Sequence, residues 1–476
     1  MLWLAVHLPM FALEVNQAGR HTRAPAVLVD GNRVLLGNRA ALQAGIGLQG
    51  TLATAHGICP GLIHYRRDPG RELKRLRLLA GMCYRFTSRV SLEPPGDGQT
   101  ASALLLEVSG SLKLFGPMDA WQSGVEALCR DLGHAAVLRA AAAPSAALAL
   151  ARAGVSHLPD VPLFHTELAG AEVESLANMG IRTLGPLLQL PQAEIGQRFG
   201  AGLTNYLQRL AGAAPDPRRC IEPEPVFASG LNLLDPITDK SALLFPMQRL
   251  LTELEHWLIG RQLGAGRLLW RFAPHEAAAG VSMPVRFAAA RQRKSAFMEV
   301  VRLALNKAEL PENVLQIGLK AKSLAPWTTR SRELFELPLQ QEIVTGHPSQ
   351  EAKTAPTELI DRFAAHLGET RCSGIAVTGQ HVPEWAWRRH KTGETGDSPD
   401  SRGGINRPLW FFDPPRRIDR QAFEILSGPE RLQTGWWSSV EGSRPRDYYV
   451  IRCGNGARGW AFVQPDGDWF LHGYFG

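Results

Sequence analysis

The chain has 476 residues, of which 45% are hydrophobic and 20% charged, so it can form several domains that each bury a core. The formal net charge of +7 and the pI of about 9.2 fit a polyanionic partner without requiring one. No run approaches about 18 uninterrupted apolar residues, and no basic stretch precedes the apolar N-terminus. We therefore expect neither a membrane span nor a signal peptide.

The six cysteines are spread along the chain, without the close pairs that mark a zinc site. In a chain of this length we expect them to be buried free thiols in a reducing compartment, which predicts a cytoplasmic protein. The cysteines are Cys59, Cys83, Cys129, Cys220, Cys372 and Cys453.

The first elements are a buried strand and a hairpin. The apolar run Leu2–Val6 predicts a strand, and the polar break at His7 and Pro9 precedes the start of an amphipathic helix. The turn Asp30-Gly31-Asn32 separates two apolar runs, residues 26–29 and 33–36, and this pattern predicts a β-hairpin. A short helix should follow from about Asn38 and end at Gly45.

Residues 65–89 carry eight basic side chains against two acidic ones. Leucines and an alanine at helical spacing between residues 73 and 80 predict a helix with one apolar side. The basic side is either a solvated helix face or a surface that contacts phosphates. The candidates for phosphate contact are Arg66, Arg67 and Lys74.

A second apolar strand, residues 104–108, leads into a turn and then Leu114-Phe115-Gly116. A helix of core-like composition is expected around residues 141–151. Residues 170–215 are predicted to be helical, and the segment Gly180-Ile-Arg182-Thr-Leu-Gly185 in their middle resembles a helix-hairpin-helix motif. Such hairpins offer backbone N–H groups to a phosphate without reading bases.

The remainder alternates strands and helices and then becomes β-rich. Residues 226–335 should contain strands and two amphipathic helices, 241–263 and 294–310. Beyond a loop, residues 357–367 predict a helix, and residues 392–406 form a polar connector. Seven of the twelve tryptophans lie from Trp385 onward, which indicates either a small core or a partner-binding surface.

This order of motifs resembles the Y-family (translesion) DNA polymerases. There, the first strand delivers a metal-binding Asp with an acidic residue two positions on, and these positions here hold His7 and Pro9. Read without gaps, the family's Asp-Glu pair falls on Ser102 and Ala103. With insertions, the pair falls on Asp97-Gly98 or Glu93-Pro94, so no version of the alignment provides two adjacent carboxylates.

The resemblance implies an α+β multidomain fold with polymerase-like palm, fingers, helical thumb and little finger, plus a C-terminal β-rich extension. In that reading Gly180, Arg182 and Gly185 of the thumb contact DNA. The implied regions are a palm at residues 1–22 and 66–165, fingers at 23–65, a thumb at 166–220, a little finger at 221–335, a linker at 336–356 and a partner-interaction region at 357–476.

The resemblance also implies a protein without polymerase chemistry. Two Mg²⁺ ions held by carboxylates supply most of the transition-state stabilisation in this reaction, and the ligands are missing. The expected protein is a cofactor-free adaptor in damage-induced (SOS) translesion synthesis and mutagenesis. Its expected partners are primer-template DNA, the sliding clamp, a RecA-like accessory protein and an error-prone replicative-type polymerase.

The clamp contact is expected in the linker, where Leu337-Pro338-Leu339 matches the core of the family's clamp-binding peptide. Glu336 stands in place of its Gln and Gln340 in place of its aromatic residue. Two other functions remain open at this point. One is an active error-prone polymerase with rearranged metal ligands, and the other is a protein-interaction module with no DNA role.

Overall fold

The structure is a computed structural model, and it divides into two compact units, Met1–Pro348 and Ser349–Gly476. It describes residues 1–17, 23–93, 102–112, 117–275, 279–327, 355–367, 371–378, 382–391, 407–408, 410–432 and 445–475. Helices and several separate sheets alternate along the chain, and the C-terminal unit holds a five-stranded sheet. The predicted α+β class with a C-terminal β-rich extension is confirmed.

The elements of the first unit follow in chain order. Its strands are β1 (Trp3–Leu8), β2 (Ala26–Asp30), β3 (Arg33–Gly37), β4 (Ile63–Arg66), β5 (Val90–Glu93), β6 (Ser102–Glu107), β7 (Val137–Ala141), β8 (Ala228–Ile237), β9 (Leu263–Ala273), β10 (Val281–Arg291) and β11 (Val314–Pro326). Its helices are α1 (Phe11–Asn16), α2 (Arg39–Gln43), α3 (Leu52–Ile58), α4 (Pro69–Cys83), α5 (Met118–Asp131), α6 (Pro144–Ala153), α7 (Gly170–Asn178), α8 (Leu184–Leu188), α9 (Gln192–Phe199), α10 (Ala201–Leu210), α11 (Lys240–Arg261) and α12 (Lys294–Lys307). Two 3-10 turns cover Leu158–Asp160 and Leu163–His165.

The first sheet, which we call the palm sheet, is antiparallel with the spatial order β5-β6-β1-β7. Every residue of β1 and of β6 is buried. Helix α6 covers one face, where Ala147 and Leu148 pack against Trp3, Ala5 and Leu105. Helix α4 packs on β5 and β6. A strand buried on both faces needs apolar residues at successive positions, which explains the uninterrupted run at the N-terminus.

The second sheet has the order β3-β2-β4. The predicted hairpin is confirmed, with Gly31 at φ +57° in its turn. The short helix is also confirmed: Asn38 caps α2 by accepting a hydrogen bond from the Ala41 N–H, and Gly45 ends the segment at φ +83°. Strand β4, which pairs with β2 in parallel, was not predicted. The basic stretch therefore begins on a strand and continues on α4.

Four helices, α7 to α10, form the predicted helical region and share one apolar core with α6. Gly180 follows α7 at φ +84°, a conformation that a side chain would strain. Gly185 lies in α8, close to the turn at Pro159. A Cβ at Gly185 would lie 3.1 Å from the carbonyl oxygen of Pro159, so the glycine permits this close approach.

The third sheet of the unit has the order β10-β9-β11-β8. Buried residues of these strands include Trp270, Phe272 and Ile317, and α11 and α12 contribute the buried Leu254 and Phe297. Helix α11 packs on β8, β9 and β11, and α12 packs on β10 and α11. The two long helices are where the sequence predicts them.

Helix α11 also packs against α4, the helix that lies on the palm sheet, through a buried ion pair. Arg75 Nη1 lies 2.7 Å from Glu253 Oε1, and these side chains are 12% and 1% exposed. Arg75 also donates hydrogen bonds to His134 Nε2 and to the Leu132 carbonyl. The Nδ1 of His134 lies 3.0 Å from a carboxylate oxygen of Glu14 on α1. One network therefore joins α1, α4 and α11.

The C-terminal unit has one helix and seven strands among its described residues. They are α13 (Ala355–Leu367), β12 (Ser373–Val377), β13 (Trp387–Lys391), β14 (Trp410–Ile418), β15 (Phe423–Leu432), β16 (Arg446–Cys453), β17 (Arg458–Val463) and β18 (Trp469–Tyr474), with 3-10 turns at Pro383–Trp385 and Arg420–Ala422. Strands β12 and β13 pair as a hairpin, and the other five form a sheet of order β14-β18-β17-β16-β15.

The described tryptophans of this unit divide between the interior and the surface. Trp460 is buried and stacks on Tyr448 with ring centroids 3.8 Å apart, beside Phe462. Trp387 and Trp410 are exposed. The first is therefore core, while the other two lie on the surface.

All six cysteines are free, as predicted. The prediction that all are buried is wrong, because only Cys83 and Cys129 are; the other four are partly exposed. Across the described ranges, no helix combines the length and apolar character needed to cross a membrane.

We expect Arg75→Ala to lower the free energy of unfolding by about 3 kcal/mol, because it leaves the buried Glu253 carboxylate without its nearest cation. Arg77→Ala is the matched control, since Arg77 is exposed on the same helix. Urea unfolding followed by circular dichroism measures both. Equal stability of the two variants would contradict the importance of the buried pair.

Candidate catalytic edge and nucleic-acid surfaces

Three side chains form a row across one end of the palm sheet. His7 on β1 lies opposite Ala103 on β6, and Ala103 lies opposite Glu93 on β5. Directly opposed residues project from the same face of a sheet, so the three side chains are neighbours. Ser102, opposite Leu8, projects to the other face. We call this row, with Ser102 beside it, the palm edge.

The structure therefore brings together His7, which stands where the family has its metal-binding Asp, with Ser102 and Ala103, where the alignment without gaps places the family's Asp-Glu pair. Pro9 lies just beyond β1 in the turn that leads to α1. Glu93, from one of the gapped alignments, joins the same row. The neighbouring Pro94 and the pair Asp97-Gly98 lie outside the described residues.

His7 is a buried and neutral side chain. It is 8% exposed, and within the described chain its Nδ1 has no hydrogen-bond partner. Burial, with the nearby positive charge of Arg152 and the nearby His165, lowers the pKa of His7 to about 4 from the usual 6.5. The ring therefore carries no charge at neutral pH.

Glu93 is the carboxylate of the palm edge, and a cation already contacts it. Arg218 Nη1 lies 3.3 Å from Glu93 Oε1, and both side chains are largely buried. Burial raises the pKa of Glu93, while the charge of Arg218 opposes that rise. Arg218 comes from residues 211–227, the segment between α10 and β8, which we call the tether.

The palm edge does not fit the two Mg²⁺ ions that the resemblance to Y-family polymerases would imply. Mg²⁺ prefers oxygen ligands in octahedral geometry. The row offers a buried imidazole, a methyl group and a carboxylate that already pairs with arginine. Across the described parts of the chain, no group of three or more histidine, cysteine or acidic residues could hold a metal ion.

Two of the three predicted DNA contacts, Gly180 and Arg182, lie in the turn between α7 and α8, and Gly185 lies at the start of α8. The side chain of Arg182 is exposed, and its carbonyl accepts a hydrogen bond from the Leu163 N–H, which fixes the turn. Gly180 is exposed, while Gly185 packs against residue 159. This geometry leaves Arg182 available to a ligand, and its role in binding DNA stays a prediction.

Some side chains of the predicted basic surface are exposed to solvent, and others point into the interior of the protein. Arg66 on β4 and Lys74 on α4 are exposed. The side chain of Arg67 is 10% exposed and lies 3.3 Å from the buried Glu72 carboxylate. Arg75, on the same helix, points into the network with Glu253. The stretch is therefore not one continuous basic face, and the contact of Arg67 with DNA is a prediction that this ion pair would oppose.

A larger basic surface lies on the third sheet and was missed in the sequence. Opposite the helix-covered face, β9, β10 and β11 present Arg267, Arg286 and Lys322 in one row across the sheet. The strands β8 to β11 contain six basic residues and one acidic residue, Asp235; the sixth basic residue, Arg291, is buried. We define the basic sheet face as Arg267, Arg271, Arg286, Lys320 and Lys322.

The signal for this surface was the alternation within each strand. In β9 the buried Leu268, Trp270 and Phe272 alternate with Arg267, Leu269 and Arg271. In β11 the exposed Lys320 and Lys322 flank the buried Ala321. Alternation indicates which residues share a face of one strand. Only the register shows that three strands contribute to the same face.

The predicted clamp-binding peptide, Glu336 to Gln340, lies outside the described residues. So does the Leu114-Phe115-Gly116 segment. Both stay predictions from the sequence.

The fold and the palm edge define a multidomain α+β protein with the polymerase-like motif order that the sequence predicts, and the described positions His7, Ser102 and Ala103 carry no paired carboxylates. No protein-family model matches the chain. Its curated relatives include Protein ImuB of Caulobacter vibrioides, 25% identical over 469 residues that cover 89% of this chain and 98% of the relative. The predicted resemblance is confirmed, because the chain is similar to Protein ImuB over most of its length.

Solved structures similar to the chain include DNA polymerases. One is the insertion ternary complex of Dbh DNA polymerase, at 14% identity and a TM-score of 0.39. Another is DinB from Sulfolobus solfataricus, at 14% identity and a TM-score of 0.36. Each match covers 67% of this chain and 98% of the other.

The low pKa of His7 predicts a loss of stability in acid. Between pH 6.5 and about 4, the unfolded chain binds a proton at this residue that the folded chain does not, so stability falls as the pH falls. His7→Leu should remove up to about 3 kcal/mol of this loss. The exposed His157, changed to Leu, is the control. Parallel stability–pH curves for His7→Leu and the wild type would show that the prediction is wrong.

Proposed function

We propose that this protein is a non-catalytic, polymerase-like DNA-binding adaptor for an error-prone polymerase in damage-induced translesion synthesis and mutagenesis. The observation that carries the proposal is the palm edge, where His7 and Ala103 stand side by side and Glu93 pairs with Arg218. A two-metal phosphoryl transfer needs several free carboxylates at one place. This row offers one carboxylate, already bound to a guanidinium group.

The basic sheet face supports a role in binding DNA. Its five basic side chains lie on one face of a four-stranded sheet, and the strands contain one acidic residue. Phosphate contacts of this kind position a protein on nucleic acid without reading the sequence. The exposed Arg182 in the thumb turn and Arg66 and Lys74 in the palm region are further candidates.

The homology to Protein ImuB supports the adaptor role. On this proposal, the sliding clamp binds the peptide from Glu336 to Gln340. The C-terminal unit then binds the RecA-like accessory protein and the error-prone replicative-type polymerase, and the protein acts in the cytoplasm. The exposed Trp387 and Trp410 of that unit are available to such partners, because aromatic side chains contribute strongly to protein interfaces.

The full-length protein should bind a primer-template and fail to extend the primer, with either Mg²⁺ or Mn²⁺. The same primer-template is used for a binding assay and for single-nucleotide extension, with an active Y-family polymerase as the positive control. Extension above background that Glu93→Ala abolishes would favour an active polymerase with rearranged ligands and would refute the adaptor proposal.

Lys320→Gln with Lys322→Gln should weaken DNA binding uniformly across sequences. The slope of log affinity against log salt should fall by about 2, because each lost phosphate contact removes about 0.9 from the slope. Arg302→Gln with Lys307→Gln on α12 removes the same charge from exposed positions outside the basic sheet face. If both double variants change the slope equally, the effect reflects net charge rather than this surface.

A further inference from the structure

The Arg218 guanidinium lies among oxygen atoms from four separate segments of the chain. Its Nη1 is 3.3 Å from Glu93 Oε1 and 3.2 Å from Glu167 Oε1. Its Nη2 is 2.7 Å from Ser145 Oγ and 3.3 Å from Asp216 Oδ2. The side chain of Arg218 is 14% exposed. We call this group the Arg218 cluster.

The cluster connects the tether to the palm sheet and to the start of α6. Asp216 accepts hydrogen bonds of 2.8 Å from both the N–H and the hydroxyl of Ser145, in the first turn of α6. Beside it, the Ile221 N–H donates to the carbonyl of Val90 on β5. The tether is thus fastened along the strand that carries Glu93, and this places Arg218 at the palm edge.

The charges of the cluster require a cation. Glu93, Glu167 and Asp216 lie around one point, and like charges at such distances strongly disfavour one another in a partly buried site. Burial alone would lower the pKa of Arg218, but the nearby carboxylates outweigh it and raise that pKa, and hydrogen bonds from Ser145 hold the pKa of Asp216 below its usual range against the effect of burial. The guanidinium supplies the compensating charge with several directed N–H donors.

We propose that Arg218 is a built-in cation of the palm edge, which fastens the tether to the palm sheet and excludes divalent cations from the oxygen atoms around it. The oxygen atoms that contact Arg218 are hard donors of the kind that Ca²⁺ and Mn²⁺ bind. With the guanidinium at their centre, these acidic residues are not arranged as a group that could hold a metal ion. The proposal concerns stability and cation access, so it can fail without affecting the adaptor function, which the DNA assays test separately.

The test compares thermal unfolding of the full-length wild type, Arg218→Gln and Arg219→Gln, in EDTA and in millimolar Ca²⁺ or Mn²⁺. Arg219 is the matched control, since it is the adjacent residue, carries the same charge and is exposed. In EDTA, Arg218→Gln should lower the melting temperature by roughly 5 °C, because three carboxylates lose their cation. Divalent ions should restore much of this loss in Arg218→Gln alone.

Two further variants separate the cation from general packing. Glu93→Gln combined with Arg218→Gln should lose the response to Ca²⁺ and should melt above Arg218→Gln in EDTA, because the unpaired carboxylate is gone. Arg218→Lys keeps one charge with fewer directed contacts, so it should melt between the wild type and Arg218→Gln without responding to Ca²⁺. This variant also keeps the test decisive if Arg218→Gln does not fold.

Proteolysis provides a second readout on the tether itself. A protease that cleaves before large aliphatic residues should cut at the Cys220–Ile221 bond several-fold faster in Arg218→Gln than in Arg219→Gln, since release of the tether exposes its backbone. Two results would overturn the proposal. One is a melting temperature of Arg218→Gln equal to that of the wild type in EDTA, and the other is an equal stabilisation of both proteins by divalent ions.

Discussion

The register of β1 between β6 and β7 is the constraint on which the arrangement of the palm edge depends. All six residues of β1 are buried, so a shift by one residue would turn every side chain to the opposite face. The register places His7, Ala103 and Glu93 in one row. The residue types at the strand ends therefore decide directly which groups meet. A buried imidazole can occupy this row because burial keeps it neutral.

Buried carboxylates in this unit meet arginines from distant segments. Glu93 meets Arg218 of the tether, and Glu253 of α11 meets Arg75 of α4. Ion pairs of this kind contribute little net stability compared with apolar packing, yet breaking one leaves a costly buried charge. Arrangements that separate the paired charges are therefore disfavoured, and the ion pairs mainly select one arrangement of the segments they join. Here they fix the tether to the palm sheet, and α11 to α4.

Local patterns in the sequence were enough to predict several of the elements but not their partners. The turn at Asp30-Gly31-Asn32 and the cap at Asn38 act within a few residues, and the predicted hairpin and helix are present. Strand β4 was missed because parallel pairing with β2 leaves no local signature. A run of basic residues does not reveal which of their side chains are buried, and here Arg67 and Arg75 pair with buried carboxylates.

The site shows the same limit more sharply. The sequence identified His7, Ser102 and Ala103 as degenerate positions, and the strand register brings them together. The tether, however, offered only a charged stretch rich in proline, with no sign that Arg218 would reach Glu93. The basic sheet face was missed for a related reason, since its row combines three strands separated by turns and a helix. Both features depend on contacts between segments that are far apart in the chain, and no local pattern in the sequence predicts such contacts.

The Arg218 cluster at the palm edge and the basic sheet face carry net charges of opposite sign, and this difference bears on where a nucleic acid could bind. At the palm edge, one guanidinium stands against three carboxylates, so the Arg218 cluster offers no excess positive charge to a phosphate. The basic sheet face carries five basic side chains with one acidic residue in its strands. Phosphate contacts depend on such excess charge. A phosphate backbone would therefore be attracted by the basic sheet face rather than by the Arg218 cluster.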